Sequence, residues 1–362
     1  MILKKAIVMP YDNEAYNLIK YKNPKYEICG LISPKGWGLN KKDSGVTAGD
    51  KANGLIVNKV SIDFESVIIV ESSIFISVKE YIIPKLKELD LRNKDLVILR
   101  SLSEDEKQLI MDFSKEYDAQ VTFVNENTVE IQEATELYQF ATPIVFVTGL
   151  MEGIGKFDVQ LKLREDMGNK DLKISQIGTK SYSEFYGFNG FPEFMFDETL
   201  SSKRKIMMFN RYVKALEMEE QPDVIIIGVP GGFMPINNKM VENFGELNFL
   251  VSNAIRPDSV CVVLPNSQYD REGFKELSNM ARFSYNYVVD AFVISNVLFD
   301  YSVAEQSNEK SLTIIKHDAF QEFLGDLDVD RNCKVDIHGN SEVSVCEWIV
   351  RALSDEAVRE II

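Results

Sequence analysis

Short runs of consecutive apolar residues recur along the chain, separated by segments whose apolar positions fall three or four apart. Alternation of that kind predicts strands and amphipathic helices in turn. Ala6-Ile7-Val8-Met9 opens the series, Pro10 ends that strand, and Asp12 or Asn13 stands where a cap would start a helix through Tyr21. Further strands are predicted at 26–32, 55–57, 67–70, 96–99 and 121–124, with helices over about 76–89 and from Ser103, where Glu106 completes a capping box. A second series begins at Pro143-Ile144-Val145-Phe146-Val147 and continues with helix 157–167, strand 172–177, helix 203–219, and strands at 224–227, 260–264, 292–294 and 312–315. The stretch 341–362 has helical spacing at Val345, Trp348, Ile349 and Leu353. Strands apolar on both faces with helices between them imply parallel sheets covered on both sides. The expected fold is therefore α/β, with two doubly wound domains: 1–125, Rossmann-like, and 142–362, with a linker or connecting helix over 126–141.

Composition adds exclusions. Forty Lys and Arg against 56 Asp and Glu give a net charge of −16, a field that repels nucleic-acid backbones and anionic lipid. Cys29, Cys261, Cys333 and Cys346 are scattered without a CxxC pair, and His317 and His338 are the two histidines, so no metal site is expected. No serine or cysteine nucleophile motif stands near either histidine, which leaves a catalytic triad unsupported. No signal-type segment or long apolar run is present, so a cytoplasmic protein with no membrane span is expected.

The strongest local signal is Val147-Thr148-Gly149-Leu150-Met151-Glu152-Gly153-Ile154-Gly155-Lys156-Phe157, between a strand and a helix. Glycines let successive N–H groups turn inward, the helix start adds positive potential, and a lysine supplies a full charge to a phosphate. The expected anion or nucleotide site comprises Gly149, Gly153, Gly155 and Lys156, joined by Gly231 and Gly232 if strand 224–227 lies alongside. The wide spacing of Gly149 and Gly155 resembles the dethiobiotin synthetase and cobyrinic acid amide synthase branch of the phosphate-loop fold. Two departures follow. Phe157 stands where Ser or Thr would hold Mg²⁺, and Gly228 stands where a metal-organising Asp would be. Glu152 also puts a carboxylate where a phosphate would sit. A phosphate or nucleotide stays open as ligand; a metal does not.

Other segments carry weaker signals. Lys35, Gly36, Trp37, Gly38 and Lys41 lie in a loop at a strand's carboxyl end, where Trp37 either meets a substrate or partner or seals an interface. Aromatic-rich 179–192 reads as a small core under a long loop, or as a lid. Phe209 and Val213 suit a buried helix stripe, beside which Asn210 or Arg211 could reach a cleft.

Ser33-Pro34-Lys35-Gly36-Trp37-Gly38, Lys156-Phe157, 188–192, 222–232 and Met234-Pro235 together resemble the clostridial-type peptide maturation system family, accessory proteins of ribosomal natural-product clusters with radical SAM maturases. The resemblance implies a role in making a modified cysteine-rich peptide, with a precursor peptide or maturase as partner, and it supplies no catalytic residue. It leads to a peptide-, partner- or anion-binding module without Mg-dependent hydrolysis; whether the chain forms a homo-oligomer stays open. The rival is an ATP- or GTP-dependent ligase or amide-forming enzyme whose metal is held elsewhere, at Asp158 or Asp223.

Overall fold

The computed structural model describes residues 3–60, 63–72, 74–89, 91–124, 136–180, 182–267, 269–306, 310–316, 335–337 and 345–359. They belong to two compact units: residues 1–127 with 181–187, and 128–180 with 188–362. Most of the expected linker, with Cys333 and both histidines, lies outside the described residues.

In the first unit, β1 (Lys4–Met9), β2 (Tyr26–Leu31), β3 (Ser66–Ile69), β4 (Asp95–Ile98) and β5 (Gln120–Phe123) form a parallel sheet in the order β2-β1-β3-β4-β5. The short helices α1 (Asn17–Lys20) and α2 (Ser44–Thr47) follow β1 and β2. A wide helical turn, Val78–Ile82, runs into α3 (Ile83–Lys87), and α4 (Glu104–Tyr117) follows β4. The capping box forms as the sequence implies: Glu106 N donates to Ser103 Oγ at 3.3 Å, and Ser103 N to Glu106 Oε2 at 3.1 Å. Residues 55–57 are not a sheet strand. Ser44 N donates to Leu55 O, Lys41 N to Val57 O and Val57 N to Lys42 O, each at 3.0 Å, so this apolar run is spent on closing the preceding loop.

The second unit is built from β6 (Ile144–Gly149), α5 (Lys156–Gly168), β7 (Ile174–Ile177), α6 (Ser202–Glu220), β8 (Val224–Gly228), α7 (Glu246–Ala254), β9 (Ser259–Asn266), α8 (Arg271–Tyr285), β10 (Ala291–Phe299), α9 (Tyr301–Gln306), β11 (Leu312–Ile314), β12 (Val335–Ile337) and α10 (Val345–Arg359). Its sheet runs β11-β10-β9-β6-β8-β7, with β12 also on β10; β11 is antiparallel and the other pairs are parallel. β6, β8 and β9 are buried at every position, which is why they appear in the sequence as unbroken apolar runs rather than alternating ones. Helices α7 and α8 had no counterpart in the sequence reading. Asp270 starts α8, its Oδ1 accepting from Gly273 N at 2.8 Å, and Phe274, Ala281 and Tyr285 face the core. Both units are thus α/β, the first sheet parallel and the second parallel except for β11, as the strand and helix pattern implies.

Segment 179–192 packs rather than projecting as a lid. Phe188 sits 5.5 Å from Phe157 ring to ring, and Tyr182, Phe185 and Tyr186 are buried. In the first unit, Phe185 stacks on Tyr26 at 5.2 Å and its carbonyl accepts from Asn23 Nδ2 at 2.8 Å. Asn210 does not reach a cleft. Its amide accepts from Tyr138 N at 2.7 Å and donates to Tyr138 O at 3.0 Å and Ala254 O at 2.9 Å, tying the approach to β6 onto α6 and the end of α7. Asn210→Ala removes three partners from a buried position and should cost roughly 2 kcal/mol, read as a lower urea midpoint at unchanged m-value.

Candidate functional site

Strands β6 and β8 are hydrogen-bonded neighbours, so the loops leaving their carboxyl ends meet. From β6 the chain turns through Gly153 and Gly155, with φ of 85° and 86°, a left-handed conformation that a side chain would strain, and enters α5 at Lys156. The Lys156 stem lies back across Gly149, where an added Cβ would be 2.9 Å from Lys156 Cδ. Strand, glycine turn and helix therefore have the form expected from the sequence, and Gly231 and Gly232 arrive beside them from β8.

The lysine, however, faces inward. Lys156 is 3% exposed, and its ammonium donates to Glu152 Oε1 at 3.2 Å and to the Gly231 carbonyl. Gly231 N donates to the same Glu152 oxygen. The contact between loops β6–α5 and β8–α7 is thus a closed circuit of one ammonium, one carboxylate and the two peptide groups that flank the Gly231 Cα. Burial pulls the Lys156 pKa below its ordinary value, against the opposing pull of Glu152 and Glu242. Burial pushes Glu152 the other way, but Lys156 and the Gly231 N–H outweigh it and hold the carboxyl below the usual range.

A second carboxylate closes the loop from above. Glu242 Oε2 accepts from the Glu152 backbone N–H at 3.2 Å, and its Oε1 lies 2.5 Å from Lys310 Nζ. Gly232 makes room for it: an added Cβ would be 2.4 Å from Glu242 Cβ. Glu242, Asn243, Phe244 and Gly245 all have positive φ (44°, 49°, 52° and 72°). Three successive non-glycine residues at positive φ, before Gly245, are a strained way to deliver one side chain. Beneath the loop, Thr148 Oγ1 and Tyr287 OH donate to Asn248 Oδ1 at 2.7 and 3.3 Å, and Asn248 Nδ2 donates to Gly232 O at 3.2 Å.

The residues do not fit a phosphate-bound Mg²⁺. Phe157 is buried in the aromatic contact with Phe188. At Gly228, an added Cβ would lie 2.4–2.6 Å from the Gln160 amide, which occupies that space while donating to Ile177 O at 2.8 Å and accepting from Thr179 N at 3.1 Å. Asp223 is no substitute ligand. It precedes β8 at the opposite, amino edge of the sheet, where it accepts from Lys173 N at 2.8 Å.

Lys35, Gly36, Trp37, Gly38 and Lys41 lie in the first unit after β2; both lysines are exposed, while Trp37 is half-buried against that unit's own core. A separate cavity of about 320 Å³ opens in the second unit, lined by Met234, Pro235, Phe244, Phe249, Met280 and Tyr285 among others. Sequence reasoning missed Glu242, Lys310 and Gln160. Gln160, one helical turn after Lys156, was the one within reach of a local pattern.

No protein-family model and no curated protein matches the chain. Among solved structures, a DUF1611 family protein from Anabaena variabilis is similar over 89% of this chain and 92% of its own, with a TM-score of 0.53 at 12% identity. That likeness is one of fold. The signal recognition particle 54 kDa protein of Aeropyrum pernix in complex with GDP aligns with 78% of this chain and 64% of its own (TM-score 0.30, 12% identity). A pseudomurein peptide ligase type C from Methanothermus fervidus aligns with 80% and 44% (TM-score 0.22, 12% identity).

Two outcomes follow from this geometry. Gly228→Asp, which restores an acid at the end of β8, should lower unfolding free energy by roughly 1–3 kcal/mol through collision with Gln160, measured by urea denaturation. Glu152→Gln should destabilise more than Lys156→Met, because the first strands a buried ammonium and the second removes it. Since Glu152 has a lowered folded pKa, its contribution is present above the ordinary value of 4.5 and lost as pH falls through the folded value. The stability gap between wild type and Glu152→Gln should therefore narrow below about pH 4.5.

Proposed function

We propose that the protein is a binding module in the maturation of a ribosomally made, cysteine-rich peptide, and that its phosphate loop is a structural joint rather than a site of Mg-dependent nucleotide hydrolysis. One observation carries the second half: the buried Lys156 ammonium is engaged by Glu152 and the Gly231 carbonyl while Glu242 takes the Glu152 N–H. An incoming phosphate would have to displace the Glu152 carboxylate from a desolvated lysine and bring its charge close to Glu242. The peptide role rests on the sequence resemblance. It is supported by the cavity beside Phe244 and Phe249, whose methionine and aromatic walls, with Asn243, Glu246 and Ser284 as polar groups, suit a large side chain of an extended peptide. The net charge of −16 favours a basic precursor or partner maturase.

Calorimetric titration with ATP and with GTP, each with and without Mg²⁺, should give no metal-dependent heat. Micromolar binding that needs Mg²⁺ and vanishes in Lys156→Ala would replace this reading with the nucleotide-dependent ligase. The cysteine-rich precursor peptide should bind wild type and bind Phe249→Glu about tenfold more weakly. Equal binding removes the cavity from the proposal.

A further inference from the structure

The first unit holds a buried cation that the phosphate loop does not involve. Arg100 follows β4 at the carboxyl edge of the five-stranded sheet, the edge where ligands of open parallel sheets bind. Its side chain is 7% exposed. Nη2 donates to Ile76 O at 2.8 Å, whereas Nε and Nη1 have no hydrogen-bond acceptor among the described residues. The carboxylate it faces, Glu71, stands 3.9 Å away at its closest oxygen, beyond hydrogen-bond distance, and its other oxygen accepts from Ser101 N at 2.8 Å. A guanidinium carries five N–H donors and cannot shed its charge. Buried donors are normally satisfied, so donors left open here call for a ligand.

The surroundings indicate its chemistry. Ile76 immediately precedes Ser77, the cap of the ten-residue helical run that begins at Val78 and ends with α3. The guanidinium, held by the Ile76 carbonyl, therefore lies at that helix start, where N–H groups and the peptide dipole also favour negative charge. On the same segment, Ile74 and Phe75 are 53% and 81% exposed, apolar surface beside a cation. We propose that Arg100 and the helix start at Val78 form an oxyanion site, taking the carboxylate or phosphate group of a small molecule whose apolar part lies on Phe75. Glu71, 43% exposed on its side chain, is the group the oxyanion displaces toward solvent. Charge-assisted bonds to Nε and Nη1 replace a distant ion pair.

The full chain is titrated with inorganic phosphate, acetate and phenylacetate, following heat and thermal midpoint. Wild type should bind at least one in the millimolar range, phenylacetate more tightly than acetate. Glu71→Gln, which removes the competing charge, should bind about threefold more tightly or better, and Arg100→Gln about tenfold more weakly. Should Arg100→Gln fold poorly, Arg100→Lys keeps the charge and loses the planar array; compared at temperatures below its own ligand-free midpoint, it should bind several-fold more weakly than wild type. Binding of phosphate alone assigns a phosphate monoester, and binding of phenylacetate alone assigns a carboxylate. No binding by wild type or Glu71→Gln, or equal binding by wild type and Arg100→Gln, overturns the proposal.

Discussion

An ammonium group almost wholly removed from water constrains much of the second unit. Lys156 reaches its position because a glycine turn carries the chain from β6 into α5 and folds the lysine stem over Gly149. Once there, its charge costs several kcal/mol unless it is paired and hydrogen-bonded. Glu152, four residues earlier in the glycine turn, supplies the pair, and Gly231 supplies a carbonyl for the lysine and an N–H for the glutamate. The two loops are thereby locked edge to edge. Phe233 N donates to Leu150 O at 3.2 Å and Tyr285 OH donates to Phe233 O, so the lock extends into α8 and the wall of the cavity.

The same constraint accounts for the poor fit of these residues to a phosphate-bound magnesium. A metal-assisted loop needs an open lysine, a hydroxyl after it and an acid on the neighbouring strand. Here each of those places is filled by packing: the lysine by Glu152, the hydroxyl position by Phe157 against Phe188, and the acid position by the Gln160 amide over Gly228. These replacements support one another. Gln160 fits only because Gly228 has no side chain, and its amide in turn holds Ile177 O and Thr179 N, fixing the start of the segment that brings Phe188 to Phe157.

What the sequence revealed and concealed follows from the range of each interaction. Buried parallel strands are apolar throughout, so β6, β8 and β9 were legible, and the strand–glycine–helix context of Lys156 is local enough to be read directly. The run 55–57 misled because three apolar residues look the same whether they pair in a sheet or, as here, with the loop at 41–44. Glu242 left no trace. It lies 90 residues from the N–H it engages, on a left-handed turn that no periodicity announces. Arg100 was invisible for a related reason: an arginine after a strand reads as surface, and only the structure reveals that Nε and Nη1 are buried without an acceptor among the described residues.

The two carboxyl edges can therefore be compared as chemistry. In the second unit the buried cation comes with its own anion: Glu152, four residues earlier in the glycine turn, pairs with it, and Glu242 and Lys310 form a second ion pair beside them. In the first unit the buried cation meets a carbonyl and a carboxylate that stops short of it. An internally neutralised site has little to gain from an external anion, whereas one left short of acceptors gains the full value of new charge-assisted bonds. The edge without the familiar loop motif is thus the better-prepared receptor for a small oxyanion, and the edge that bears the motif is the better-built joint.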